Sequence, residues 1–139
     1  MEYICSKSSL SGHIVVPGSK SHTIRCLLLA AMSDGECRII NPLPSADCLS
    51  AAHAIKAFGA EVDIGCEVDD FGKPLGIPAT EWIVKGAGEN FHLPSNTIDV
   101  GNSGSTLYFF TPVASVFEGK SIFTGDESIC KRPVNHLLD

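Results

Sequence analysis

Three short stretches bring cations or small residues to the expected start of a helix, where a chain is well equipped to hold an anion. The first is Pro17-Gly18-Ser19-Lys20-Ser21-His22-Thr23-Ile24-Arg25, followed at once by an apolar run over 26–32. It reads as a strand over 13–16, a Pro-Gly break, and a helix beginning near Ser21. The first N–H groups of a helix have no partner within it and carry partial positive charge, so they favour a phosphate or a carboxylate. Lys20 and Arg25 add full charges. Arg25 stands four residues after Ser21 and so falls on the same helix face. The plainer reading is a capped helix with two solvated cations. The spacing is not that of a Walker A loop.

The second stretch is Asp99-Val100-Gly101-Asn102-Ser103-Gly104-Ser105-Thr106. Its two glycines and small side chains let backbone amides approach an anion closely. Its plainer reading is a tight loop capped by Ser103 or Ser105. The third runs from Thr124-Gly125-Asp126 to Lys131-Arg132-Pro133. Here Arg132 stands at the expected start of a last helix, with Pro133 in its first turn. An arginine suits bidentate binding of a carboxylate or phosphate. Lys131 reads as a surface cation and Asp126 as a turn residue. The remaining chemistry-bearing types are less suggestive. His13, His53, His92 and His136 are scattered, His22 is not singled out as a ligand, and no Ser/His/Asp order can be read. Asp47 follows a helix cap and reads as a complement to the helix dipole. Trp82 reads as a packed strand residue.

The elements that must position these stretches alternate. A helix is expected over 21–32, a strand over 36–40, and a helix over 46–58 with Ser45 as N-cap and Gly59 just past its end. A strand over 60–64, a turn-rich excursion over 65–80 and a strand over 81–85 come next. After a loop over 86–95, residues 97–100 lead into a helix that runs to about Phe117, with a break near Pro112. A strand over 120–124 and the last helix complete the pattern. The two halves are self-similar: Gly35 and Gly119 occupy the same place between helix and strand, and at that offset Ser21 falls on Ser105 (119 − 35 = 105 − 21 = 84). The fold class expected is therefore α/β, built from βαβα-type units used at least twice. The last helix is cut at Asp139 without a cap, so the chain reads as a fragment of a longer protein.

The bulk numbers agree with one globular domain. There are 139 residues, 44% of them hydrophobic, and ten basic against sixteen acidic residues give a net charge of −6. That balance argues against a nucleic-acid binder relying on bulk charge. No apolar run is long enough to cross a bilayer, and the first residues lack the basic head and apolar core of a signal peptide, so no membrane association and a cytoplasmic location are expected. Six cysteines occur, at 5, 26, 37, 48, 66 and 130. The even count allows disulfides. Cys26, Cys37 and Cys48 sit in expected helices and strands like small buried hydrophobes, which favours free thiols in a reducing compartment. No Cys/His cluster has zinc-ligand spacing, so no metal site is expected.

Together the three stretches resemble the 3-phosphoshikimate 1-carboxyvinyltransferase (5-enolpyruvylshikimate-3-phosphate synthase) family. Pro17-Gly18-Ser19-Lys20-Ser21 with Arg25 resembles its first signature. Gly101-Asn102-Ser103-Gly104-Ser105-Thr106 resembles its G-N-[AS]-G-T loop, and Thr124-Gly125-Asp126 with Lys131-Arg132-Pro133 resembles its T-G-[DE] … R-P segment. The resemblance runs from about Ser11 to Asp139. It implies one globular domain of a two-domain enolpyruvyl transferase fold: 19–139 as a truncated N-terminal domain, with 1–18 packing against the missing second domain. It also implies transfer of the enolpyruvyl group of phosphoenolpyruvate to shikimate 3-phosphate, with no cofactor. Lys20 and Arg132 would be the catalytic cations. Lys20, Ser21 and Arg25 would hold shikimate 3-phosphate. Lys20, Asn102, Gly104 and Arg132 would hold phosphoenolpyruvate, in the pocket where glyphosate also binds.

The general acid and base groups of the family lie in the missing part, so the fragment alone is expected to lack turnover. One departure is Tyr108, where the family usually has Arg. Two other readings compete. A UDP-N-acetylglucosamine enolpyruvyl transferase would place a reactive cysteine near Cys130, but has Lys-Asn where this chain has Lys20-Ser21. A non-catalytic phosphate-ligand binding module would suit Tyr108.

Overall fold

The computed structural model describes residues 2–70 and 72–137, without the side chain of His136. Helix α1, Lys20–Met32, begins one residue before the expected start, because Ser19 caps it: its Oγ accepts from His22 N at 3.4 Å. Ile24, Leu27, Leu28 and Ala31 recur at helical spacing and form its buried stripe. Strand β1, Asp34–Ile40, and helix α2, Ala46–Ala57, come next. Gly59 follows α2 with φ +100°, the conformation that ends a helix without strain only at glycine. Cys48, Ala51, Ala52, Ala54 and Ile55 bury the inner face of α2. Its small side chains let it lie close against α1.

Strands β2, Glu61–Asp63, and β3, Glu81–Ala87, complete an antiparallel sheet of order β1-β3-β2. The β1–β3 register runs from Asp34↔Ala87 to Ile40↔Glu81, and Glu61 pairs with Lys85. Alternation on β3 turns Trp82 and Val84 into the core. Gly86 sits where a Cβ would overlap Ser33 O and come within 2.8 Å of Ser33 C, so the end of α1 can approach the sheet only because that side chain is missing. The excursion over 65–80 closes as a hairpin-like loop through a Val68↔Pro74 bridge, with Leu75 N donating to Glu67 O at 2.8 Å.

The second half is a parallel pair. β4, Ile98–Asp99, and β5, Phe123–Thr124, lie side by side, joined by helix α3, Gly104–Ser115, as their crossover. Phe58 stacks on Phe91 at 5.1 Å and meets Phe110 of α3 at 5.6 Å, which joins the two halves in one core.

Four expectations are corrected. The strand over 13–16 does not form: residues 2–19 have no regular secondary structure, and Val15 is 96% exposed. A strand needs a neighbour's ladder, and this segment has none among the described residues. Helix α3 is not broken at Pro112. The proline lies near its end, and the following turn closes with Val116 N to Val113 O and Phe117 N to Ala114 O. The long last helix is replaced by α4, Glu127–Cys130, which precedes Arg132, and by a 3₁₀ turn over Asn135–Leu137. Its expected residues beyond 137 lie outside the described ones. Finally, Cys26 faces solvent; of the three cysteines read as buried, Cys48 alone is fully so and Cys37 is half-buried. All six thiols are free.

The internal repeat survives at the helix starts. Ser19 and Ser103, again 84 apart (103 − 19), each cap a helix by accepting the N–H of the third residue on, His22 or Thr106. Beyond that the halves diverge: β1 joins an antiparallel sheet and β5 a parallel pair.

Candidate active site

The first cluster is built by the start of α1. Buried Thr23 locks it: Thr23 Oγ1 donates to Ser19 O at 2.9 Å and accepts from Leu43 N at 3.0 Å. The turn so fixed presents Lys20, Ser21 and Arg25, all exposed. Arg25 lies back along the helix, its Nε donating to Ser21 O at 3.1 Å, which puts the two residues on one face. Lys20 Nζ is 2.7 Å from Asp47 Oδ2 on the first turn of α2. Asp47 was read as a dipole complement; it also fixes the ammonium. Nothing in sequence ties two residues 27 apart, so the pair was not legible. Ser45 stands at the start of α2 but makes no side-chain cap; its Oγ donates to Cys48 Sγ at 3.3 Å. Cys48 Sγ in turn points to Lys20 O at 3.6 Å. Burial pushes the Cys48 thiol pKa up.

The second cluster surrounds the start of α3. Val100 N donates to Thr124 O and Asp126 N to Gly101 O, both at 2.9 Å, so the 101–104 loop and the 124–126 loop are stitched together as their strands end. Ser103 is buried and caps α3. Asn102 is exposed and its Nδ2 donates to Asp126 Oδ2. Gly104 is buried beneath Arg132: a Cβ there would overlap Arg132 Nη1 and lie 2.8 Å from its Cζ. Gly104 and Arg132 thus meet, although 28 residues separate them in the chain (132 − 104), and Asn102 is tied through Asp126 to the segment that leads to Arg132. Tyr108, one turn beyond Gly104, directs its hydroxyl to Pro133 O at 3.5 Å. Lys131 is held by Glu127 at 2.5 Å on the surface.

Asp126 was read as a turn residue. It is the N-cap of α4, accepting from Ile129 N at 2.9 Å. The backbone N–H of Ile129 first, and the Asn102 amide second, hold its carboxyl below the usual carboxylate range. Its place three residues before Ile129 is cap spacing, a signal available in the sequence.

Helix α2 connects the clusters. Asp47 and Ser50 are three residues apart and so share a face. Asp47 takes Lys20, and Ser50 Oγ lies 2.9 Å from where a Cβ on Gly101 would sit. One turn of α2 therefore touches both the start of α1, through Lys20, and the loop that leads into α3, through Gly101. Arg132 also borders a cleft of about 340 Å³ lined by Leu107, Thr124 and Cys130. A cavity of about 580 Å³ lined by Ser50, His53 and Asp99 holds none of the six candidate residues.

A sequence model of EPSP synthase (3-phosphoshikimate 1-carboxyvinyltransferase) matches residues 4–139. The chain belongs to that family. A relative from Methanocaldococcus jannaschii, named 3-phosphoshikimate 1-carboxyvinyltransferase, is 47% identical over 131 residues, 94% of this chain and 28% of the relative. One of the same name from Acetivibrio thermocellus is 42% identical over 132 residues, 95% of this chain and 28% of the relative. Among solved structures, EPSP synthase from Acinetobacter baumannii superposes with a TM-score of 0.73 at 26% identity, covering 89% of this chain and 26% of that one. The α/β fold is thus part of a domain of the EPSP synthase fold, and this chain spans little more than a quarter of the length of the curated relatives it matches. No helix among the described residues is long and apolar enough to cross a membrane.

Proposed function

We propose that this chain is the N-terminal part of a cytoplasmic enzyme that transfers the enolpyruvyl group of phosphoenolpyruvate to the 5-hydroxyl of shikimate 3-phosphate, releasing phosphate on the way to chorismate and the aromatic amino acids. The observation that carries the reading is Arg132 resting on Gly104 beside Asn102, at the capped start of α3, in a chain of the EPSP synthase family.

Arg132 clamps phosphoenolpyruvate, with Asn102 and Gly104 shaping its pocket. Ser21 and Arg25 hold shikimate 3-phosphate, Arg25 through the carboxylate. Lys20 touches both substrates. In the reaction, C3 of phosphoenolpyruvate gains a proton as the 5-hydroxyl gives its own proton to a base and its oxygen bonds to C2. The tetrahedral intermediate then expels phosphate and loses the proton from C3. Both substrates are polyanions, so fixed cations lower their mutual repulsion and steady the negative charge that builds on the departing phosphate. The 2.7 Å pair with Asp47 keeps Lys20 extended toward the ligands before they bind. The reading assigns no step to a metal or organic cofactor.

The acid and base groups come from a second domain of the same polypeptide. The segment before α1 packs there, which is supported by the exposure of Ile14 and Val15, apolar side chains left in solvent by this chain alone. The net charge of −6 favours small anions met by local cations over nucleic acid. The test is phosphate release by the full-length polypeptide given both substrates. Release that needs both, and that collapses in Lys20→Met and in Arg132→Ala, is expected. A folded protein without such release refutes the transferase.

A further inference from the structure

We propose that Asp126 is a positioning residue for the phosphoenolpyruvate pocket: it fixes the side-chain amide of Asn102 and latches the 101–104 loop to the segment that carries Arg132. The proposal rests on the transferase reading above.

Three observations carry it. The two oxygens of Asp126 have different partners: Oδ1 accepts from Ile129 N at 2.9 Å, and Oδ2 accepts from Asn102 Nδ2. The backbone of the same residue completes the latch, since Asp126 N donates to Gly101 O at 2.9 Å. Gly125, just before it, leaves no room for a side chain, because a Cβ there would overlap Gly101 O and come within 2.8 Å of Ile129 Cγ2. The loops therefore meet backbone to backbone, and a side-chain bond across the seam joins Asp126 to Asn102.

An ionised carboxylate accepts and never donates. Facing Asp126, the Asn102 amide must turn Nδ2 toward it. That orientation leaves Oδ1 and the second Nδ2 proton to meet the ligand. Without Asp126 the amide is free to flip, and a flip exchanges a donor for an acceptor at the pocket. The depressed carboxyl pKa agrees with this arrangement, because the Ile129 N–H and the Asn102 amide both favour the ionised form. The carboxylate also stands ahead of Arg132 on one short segment, so the turn it caps sets the path of the chain into the arginine.

Capping and positioning are separable. Serine caps a helical turn about as well as aspartate does, but it offers one short oxygen in place of two. Asp126→Ser therefore keeps the cap on Ile129 N and drops the acceptor for Asn102. In the full-length protein, KM for phosphoenolpyruvate is expected to rise by roughly tenfold, the order of one charge-assisted hydrogen bond. KM for shikimate 3-phosphate and the unfolding temperature should stay put. In an Asn102→Ala background the same change should shift KM less than about twofold, because the residue through which Asp126 acts is gone.

A second readout needs no substrate. With asparagine selectively ¹⁵N-labelled, the Asn102 side-chain amide should show one proton shifted downfield and protected. Asp126→Ser should abolish that signature. An unchanged amide signal, an unchanged KM, or equal KM shifts in the wild-type and Asn102→Ala backgrounds overturns the proposal. If the wild type lacks turnover with both substrates, the transferase reading fails instead, and the amide signal alone decides whether the latch exists.

Discussion

Gly104→Ala isolates the contact on which the proposed phosphoenolpyruvate pocket depends. Gly104 is the first residue of α3 and has helical backbone geometry, so alanine fits the main chain there. Alanine is also the better helix former, and fewer unfolded conformations oppose it, which favours the fold by about 0.5 kcal/mol. The obstacle is a single side chain. The new methyl group would lie 2.8 Å from Arg132 Cζ, where an ordinary contact needs about 3.5–4.0 Å. Arg132 is exposed, so its guanidinium, whose Nη1 would stand nearer still, retreats by more than about 1 Å while the backbone stays.

A displacement of that size at a positioning group costs on the order of a hundredfold in rate. kcat/KM for phosphoenolpyruvate in the full-length protein should therefore fall roughly 10- to 100-fold. KM for shikimate 3-phosphate should be unchanged and the unfolding temperature equal or slightly higher. Steady-state phosphate release and thermal unfolding, read on the same preparations, give all three quantities. Combining Gly104→Ala with Arg132→Ala should be no worse than Arg132→Ala alone. A fall of several degrees in unfolding temperature would mean that the backbone yields and the arginine does not. An unchanged kcat/KM with intact stability would refute the claim that Arg132, where it rests on Gly104, holds the substrate.

Thr23→Val tests the lock at the start of α1. Valine matches the shape but removes the bonds to Ser19 O and from Leu43 N, so a loss of about 2 kcal/mol in urea unfolding is expected; a loss below about 0.5 kcal/mol would show that the 41–43 loop does not depend on the hydroxyl. The thiols should divide by exposure. Under native conditions at mildly alkaline pH a disulfide reagent should label Cys5, Cys26 and Cys130 and spare Cys48, which reacts only on unfolding. The sign follows from the raised pKa of Cys48: the folded state disfavours its thiolate, so this contribution to stability is complete below the ordinary thiol pKa and is lost as pH climbs through the raised one. Fast labelling of Cys48 in the folded protein would contradict its burial.

What the sequence determined was local. The stripe Ile24, Leu27, Leu28, Ala31 repeats at helical spacing, Trp82 and Val84 alternate, and Gly59 marks the end of α2; each signal lies within one or two turns of chain. The anion-competent loops were legible for the same reason, since a serine cap and a glycine act on their nearest neighbours. Even the repeat could be read, because it places Ser19 and Ser103 in equivalent caps.

Tertiary structure decided whatever depends on a partner distant in sequence. The 13–16 strand was expected from its apolar residues, but a strand exists only beside another strand. The reach of Asp47 to Lys20 and of Asp126 to Asn102 spans 27 and 24 residues, and nothing in composition encodes such distances. The seat of Arg132 on Gly104 likewise needed a short turn at Glu127–Cys130 where the sequence suggested a longer helix further on. Caps and periodicity are written in neighbouring residues, whereas the pairing of Lys20 with Asp47 and of Asn102 with Asp126 arises only when α2 and the 124–126 loop fold against the two helix starts.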